Sequence, residues 1–249
     1  MQYELIVMRR LSEIKNKRIL LIVAHPDDET LWFFQSIQQL KTANEILIFC
    51  LTHAAVSKRG KELTKVVDDL GLKVVFGHCE DTGIDRLLRQ SDLRQAFIKV
   101  FSKYKIDLAI THPPHGGEKP HPHHLQLYWM TKEFCGFHSI QFGFFSEQKL
   151  LEKSTKKRSY YLSIRKKRYV LYLLLKGYFL LSEDENKTTL FVKAMLSILF
   201  NFKTYSGFEV AVNLEEKQSV LANFESQHEV LKSYNAFYEK SEFLFLALD

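Results

Sequence analysis

The sequence predicts an α/β protein: a doubly wound, mostly parallel sheet with its active site at the carboxyl ends of the strands. Three observations predict it. Short apolar runs recur at 18–23 (RILLIV), 46–51 (ILIFCL), 73–76 (KVVF) and 107–111 (DLAIT), separated by longer segments of helical periodicity. These runs are apolar throughout rather than alternating, as strands buried on both faces are. Eight of the ten histidines lie in the four stretches that follow the runs.

The first run, Arg18 to Val23, ends at Ala24-His-Pro-Asp-Asp-Glu-Thr30, and the residues from about 29 to 43 read as a helix. One Asp or Thr suffices to cap a helix. A histidine and three acidic groups in five residues therefore need a further reason. The second run leads through Thr52-His53 to a helix over roughly 59–71. The third is followed by His78 to Asp85 and then by SDLRQAFIKVFSKY (91–104), a helix with Ser91 as its cap. The fourth opens the loop THPPHGGEKPHPHH (111–124), which holds five histidines and runs into LQLYWM. Pro122 suits the first turn of a helix there. His121 and His124, three apart, then face one way and His123 another. Strands alternating with helices make parallel β/α/β units in a Rossmann-like arrangement. In such sheets ligands bind outside the carboxyl ends of the strands, which gathers the histidine-bearing loops at one edge.

A chain of 249 residues, 46% of them apolar, can build a full core without disulfides. Cys50, Cys79 and Cys135 are odd in number and form no CxxC pair, which suggests neither a secreted disulfide framework nor a cysteine zinc cluster. The N-terminal segment MQYELIVMRRLSEIKNKR lacks the continuous apolar stretch of a signal peptide. A cytoplasmic location is expected.

Charge is concentrated. Lys149 to Lys176 holds ten Lys and Arg against one acidic residue, Glu152, a net +9 where the whole chain carries +6. It overlaps the apolar run Tyr169 to Leu181, which Lys176 interrupts and which falls short of the ~20 residues a membrane span needs. Residues 149–181 therefore read either as a basic surface leading into core, or as a peripheral contact with an anionic membrane surface, the inner face of the cell membrane for a cytoplasmic protein. Nucleic-acid binding is not expected, because no interleaved aromatic platform or binding fingerprint accompanies the charge.

Neutral imidazoles with a carboxylate suit Zn²⁺, and a catalytic zinc keeps three protein ligands and one open place. His25, a carboxylate of the Asp pair and one histidine of the fourth loop make such a set. Adjacent Asp residues allow a division of labour, one binding metal and the other taking a proton from an attacking water, while a protonated His121 steadies the oxyanion. Other hydrolase signatures are missing: His228-Glu229 is followed by Val-Leu-Lys rather than completing HExxH, and there is no GxSxG or Walker loop.

A strand followed by AHPDDE, with an HPxH segment about ninety residues later, resembles the LmbE-like or PIG-L-like family of zinc-dependent deacetylases, which act on N-acetylglucosamine compounds. The resemblance implies that His25, Asp28 and His124 ligate the metal, zinc or in the cell iron(II). It implies that Asp27 is the general base and that His121 polarises the carbonyl or protonates the leaving amine. Arg59-Gly-Lys-Glu62-Leu63 resembles the family's Arg-x-x-Glu-Leu helix start, and Lys217 to Gln227 its late Lys, Ala and Ser-Gln segment. By that resemblance Arg59 reaches substrate, a helix-surface pair with Glu62 being the alternative. His53, in the loop after the second strand, is read with it as substrate-binding.

Three features depart from the family. His-Pro-Asp-His is His121-Pro-His123-His124 here, Tyr-Gly is replaced by Lys119-Pro120, and the Gly-containing loop after the second strand is Thr52-His-Ala-Ala. The expectation is one domain over 1–249, with an unassigned insertion at about 147–206. It would remove the N-acetyl group of an N-acetylated amino sugar, with lipid-linked and nucleotide-linked substrates both open. The alternative is a non-catalytic metal- or sugar-binding relative on the same scaffold.

Overall fold

The computed structural model of the protein describes residues 7–9, 11–83, 86–114, 116–117, 121–146, 205–234, 238 and 241–247. These belong to one compact unit, Met1–Glu147 with Thr204–Asp249, and a second unit comprises Gln148–Lys203. The basic and apolar segment at 149–181 lies outside the described residues, as does the region 147–206 except for its last two residues.

All four apolar runs are strands. They are β2 (Arg18–Val23), β3 (Glu45–Thr52), β4 (Lys73–Cys79) and β5 (Leu108–Thr111), and between them stand α1 (Asp28–Leu40), α2 (Lys58–Asp69) and α3 (Gln90–Lys103). The fourth loop leads into α4 (Pro122–His138) with Pro122 in its first turn, where a missing N–H costs nothing. Four further strands, β1 (Val7–Arg9), β6 (Gln141–Ser146), β7 (Tyr205–Ala211) and β8 (Ser241–Ala247), two short helices, α5 (Leu214–Leu221) and α6 (His228–Lys232), and a 3-10 turn at Leu11–Glu13 complete the described elements.

The eight-stranded sheet runs β1-β7-β8-β6-β5-β2-β3-β4. Neighbours are parallel except where β8 pairs antiparallel with both β6 and β7. The parallel half is why those runs lack alternation: Ile19 to Val23 are buried without a break, packed from both sides by helices. β2 is flanked by β3 on one side and β5 on the other. The chain winds away from β2 in both directions, so the loops after β2 and β5 diverge at the switch point and leave a crevice between them.

Two expectations about local structure are corrected. Ser91 does not cap α3: Arg89 occupies the N-cap position, and the Ser91 hydroxyl donates to Asp92 Oδ1 instead. His78 is not in a loop either, because β4 continues past Phe76 to Cys79 through an irregular register against β3, leaving His78 exposed. Among the described residues no helix is long and apolar enough to cross a membrane.

Candidate metal centre

The turn after β2 is pinned to the neighbouring strands. Thr52 at the end of β3 donates its N–H (3.0 Å) and its hydroxyl (2.7 Å) to the Ala24 carbonyl. From the other side His112, just after β5, takes the Ala24 N–H on its Nε2 at 3.1 Å. With Ala24 fixed, His25 and the first turn of α1 face the loop that follows β5.

Asp28 lies at the centre. Its Oδ2 accepts the His25 backbone N–H at 2.8 Å and is ringed by His25 Nδ1 at 3.4 Å, His112 Nε2 at 3.3 Å and His124 Nε2 at 3.5 Å. Burial pushes the Asp28 carboxyl up, but the facing imidazoles of His124 and His112 outweigh it and hold the group well below the usual carboxylate range.

His124 is held by its far nitrogen. Nδ1 lies 3.0 Å from the Gly116 carbonyl, which can only accept, so the N–H is on Nδ1 and the lone pair is on Nε2. Nε2 is buried and has no hydrogen-bond partner among the described residues. A buried imidazole lone pair facing a carboxylate oxygen is an arrangement that a cation between them satisfies. Gly116 makes the anchor possible: its φ is +80°, and a Cβ there would sit 3.1 Å from the His121 nitrogen. Ligand atoms of His25, Asp28 and His124 all lie within 4.8 Å of one another, close enough to hold one metal ion. The residues thus fit a metal: two imidazoles and a carboxylate is a donor set suited to Zn²⁺ or Fe²⁺. His112 does not join them, because its Nε2 lone pair is committed to Ala24.

Asp27 stands beside this group at the N-cap of α1, with φ +124°. A non-glycine residue in that region costs on the order of 1–3 kcal/mol and persists only where its surroundings hold it. Here Glu29 Oε2 accepts the Asp27 N–H at 3.2 Å, and Arg59 donates to Asp27 Oδ2 at 2.9 Å. Burial raises the Asp27 carboxyl well above its ordinary value, against the opposing charge of Arg59 and with the like charges of Asp28 and Glu29 adding to it. Glu29 is itself buried, and its carboxyl is raised to about 7 by burial.

His121 is the N-cap of α4, and its Nδ1 accepts the His123 backbone N–H at 3.2 Å. Burial, with the neighbouring imidazoles, lowers its pKa to about 2. The expectation of a protonated His121 is corrected accordingly: with Nδ1 accepting, the ring is neutral and carries its hydrogen on Nε2. His123, expected to face elsewhere, packs into the same cluster, with Nδ1 3.0 Å from His25 Nε2.

A polar arc borders the cluster. Arg59 also approaches Asp81 at 3.8 Å, and His53 Nε2 lies 3.4 Å from Asp81 Oδ2. Arg59 does not pair with Glu62, which instead accepts from the backbone N–H and the hydroxyl of Ser226. The Arg-x-x-Glu helix start and the late Ser-Gln segment therefore touch. Of the eight histidines counted from the sequence, His25, His112, His121, His123 and His124 converge, His53 stands at the arc, His78 is elsewhere and His115 lies outside the described residues. Sequence reasoning gave no individual role to His112, Asp81, Thr82 or Glu29. The first three sit in the loops after β5 and β4, and Glu29 in the motif itself, so position was the only signal available.

Residues 20–135 match the model of the PIG-L family, described as GlcNAc-PI de-N-acetylase. No curated protein matches the sequence. Among solved structures, the chain is similar to a teicoplanin deacetylase in its zinc-inhibited form (TM-score 0.59, 12% identity, covering 93% of this chain and 98% of that one). It is also similar to the same type of deacetylase in complex with teicoplanin (TM-score 0.54, 12% identity, 93% and 99%). A third likeness is to the N,N'-diacetylchitobiose deacetylase of Pyrococcus horikoshii (TM-score 0.50, 17% identity, 89% and 75%). At such identities these are likenesses of fold. The family match spans β2 to α4 and so carries His25, Asp27, Asp28, Arg59, His121 and His124 together: over residues 20–135 this chain resembles the PIG-L family.

Proposed function

We propose that the protein is a metal-dependent N-deacetylase that hydrolyses the N-acetyl amide of an N-acetylglucosamine-type sugar derivative. The observation that carries the reading is the convergence of His25, Asp28 and His124, with Asp27 held beside them. The family description and the deacetylase activity named for the similar structures support the same reaction class. The ion, zinc or in the cell iron(II), would polarise the amide carbonyl and lower the pKa of water when bound.

Asp27 is assigned the proton of the attacking water. Its raised pKa brings a carboxylate closer to the range where it accepts a proton from water and passes it to a leaving amine. His121, neutral with its hydrogen on Nε2, is assigned as hydrogen-bond donor to the carbonyl oxygen as negative charge develops there. Arg59 and His53, both partly exposed, are assigned to the sugar, with Arg59 also steadying Asp27.

The lipid-linked form of the substrate is favoured by the net +9 of 149–176 beside an apolar run. Each Lys or Arg at an anionic bilayer contributes about 1 kcal/mol, enough together for reversible, salt-sensitive adsorption. Acetate release from free, nucleotide-linked, lipid-linked and thiol-linked N-acetylglucosamine, by metal-loaded and by chelator-treated protein, tests the reaction. Release that depends on metal supports it. Sugar binding without release from any compound overturns it in favour of a binding protein.

A further inference from the structure

A second group of three, His25, His121 and His123, also has ligand atoms within 4.8 Å of one another. His25 belongs to both groups, one ring nitrogen toward each. Which of the two nitrogens carries the hydrogen decides which group can take a metal, and the partners around His123 are the basis for assigning it.

The chain of donors starts at Thr82. Its hydroxyl lies 3.4 Å from the Arg86 carbonyl and 3.3 Å from the Leu87 carbonyl, neither of which can donate, and we assign the single hydroxyl hydrogen to that pair. Toward His123 Nε2, 2.9 Å away, Thr82 Oγ1 therefore presents a lone pair, and Nε2 is the N–H. A neutral His123 then has its lone pair on Nδ1, which faces His25 Nε2 at 3.0 Å. Two lone pairs cannot meet at that distance, so His25 Nε2 carries the hydrogen and donates it. Its Nδ1 is left as a lone pair facing Asp28 Oδ2 at 3.4 Å, too long for a good hydrogen bond and suited to an ion between the two. Asp81 Oδ1, 4.0 Å from His123 Nδ1, is too far to take over as the partner.

We propose that His123 is the positioning residue that fixes the tautomer of His25, turning the Nδ1 lone pair toward Asp28 and His124 and closing the second histidine group to metal. The assignment rests on the metal reading of His25, Asp28 and His124. It follows from the same logic by which the Gly116 carbonyl fixes His124, except that the acceptor is a neutral ring rather than an oxygen. In the second group His25 Nε2 donates, His123 Nδ1 accepts from it, and His121 Nδ1 accepts the His123 backbone N–H. The resemblance places an acid at position 123. A carboxylate is also a pure acceptor and would impose the same tautomer, so the histidine keeps the geometry while leaving one negative charge out of the cluster.

The test uses full-length protein with ¹⁵N-labelled histidine, loaded with ¹¹³Cd²⁺. In the wild type one cadmium binds per chain, coupled to Nδ1 of His25 and Nε2 of His124, and metal-free protein shows His25 with its hydrogen on Nε2. His123→Leu removes the acceptor and should weaken cadmium binding 10–100-fold, the usual effect of losing such a partner. His123→Asp should restore both the affinity and the Nδ1 coupling, which recovery from a merely structural defect would not require. Coupling of cadmium to Nε2 of His25, two ions per chain, or unchanged affinity in His123→Leu overturns the assignment while leaving a metal site in place. A wild type that takes up no cadmium overturns the metal reading and this assignment with it.

Discussion

Arg59 holds Asp27 by a hydrogen bond of 2.9 Å from Nη2 to Oδ2, and the same nitrogen reaches the Pro26 carbonyl at 3.2 Å. Helix α2 thus supplies a cation to the strained turn before α1. Ser57 caps that helix through the Gly60 N–H, and a Cβ at Gly60 would lie 1.9 Å from the Ala54 carbonyl oxygen, so only glycine lets the helix start close enough for Arg59 to reach.

Removing that cation should move the acid limb of the rate profile. Asp27 is a base only above its folded pKa, which burial raises and Arg59 opposes. Arg59→Gln should therefore shift the acid limb of kcat/KM to higher pH, and Arg59→Lys should shift it less. An acid limb that stays in place would separate Arg59 from Asp27 in function.

Asp27→Asn should bind one metal per chain and lose activity by about 10²–10⁴-fold, because the amide keeps the shape but cannot take a proton. Metal analysis and acetate release on the same sample check it. A loss of only two- or threefold removes Asp27 from the role of base.

His25→Ala and His124→Ala should each lower the metal content of purified protein. His112→Gln should not, since Nε2 of His112 serves the Ala24 N–H and a glutamine oxygen can replace it. Elemental analysis after gel filtration distinguishes the cases, and equal loss in all three would mean that His112 is a ligand.

Away from the site, Lys217 lies 3.6 Å from Glu242 in the interior, where Glu242 also accepts from the Gln35 and Ser36 backbone N–H groups and the Ser36 hydroxyl. Lys217→Met leaves that carboxylate without its charge partner and should cost about 3–5 kcal/mol. Burial already raises the Glu242 pKa, with Lys217 opposing. A carboxyl raised in the folded state contributes stability below its unfolded value that is lost as pH rises through the folded one. The penalty of Lys217→Met should thus be smaller in acid than at pH 8, as urea unfolding across that range will show.

The parallel half of the sheet was legible in the sequence because strands buried on both faces leave unbroken apolar runs such as RILLIV. The antiparallel half was not. The QFGFFS of β6 and the YSGFEVA of β7 each carry a glycine inside a short run, and SEFLFLA follows only the short helices α5 and α6 and pairs antiparallel with β7. At the site, residue types located the cluster, but hydrogen positions lay beyond them. That His121 is neutral follows from a cap bond to its Nδ1, and that His123 touches His25 follows from the direction in which α4 leaves the loop. Neither contact has a signature in spacing alone.

The position of β8 between β6 and β7 sets an order of events during translation. Strands β2 to β6 can assemble as they leave the ribosome, but β6 pairs with β8 on its other side, and among the described residues β1 and β7 join the sheet through β8. At synthesis rates of ~5–20 residues per second, the edge of β6 stays open for about 5–20 s after Ser146 emerges. That edge carries Phe142, Phe144 and Phe145, which are buried in the finished fold. A message that stops before codon 241 would leave it open for the life of the polypeptide, a template for pairing with other chains.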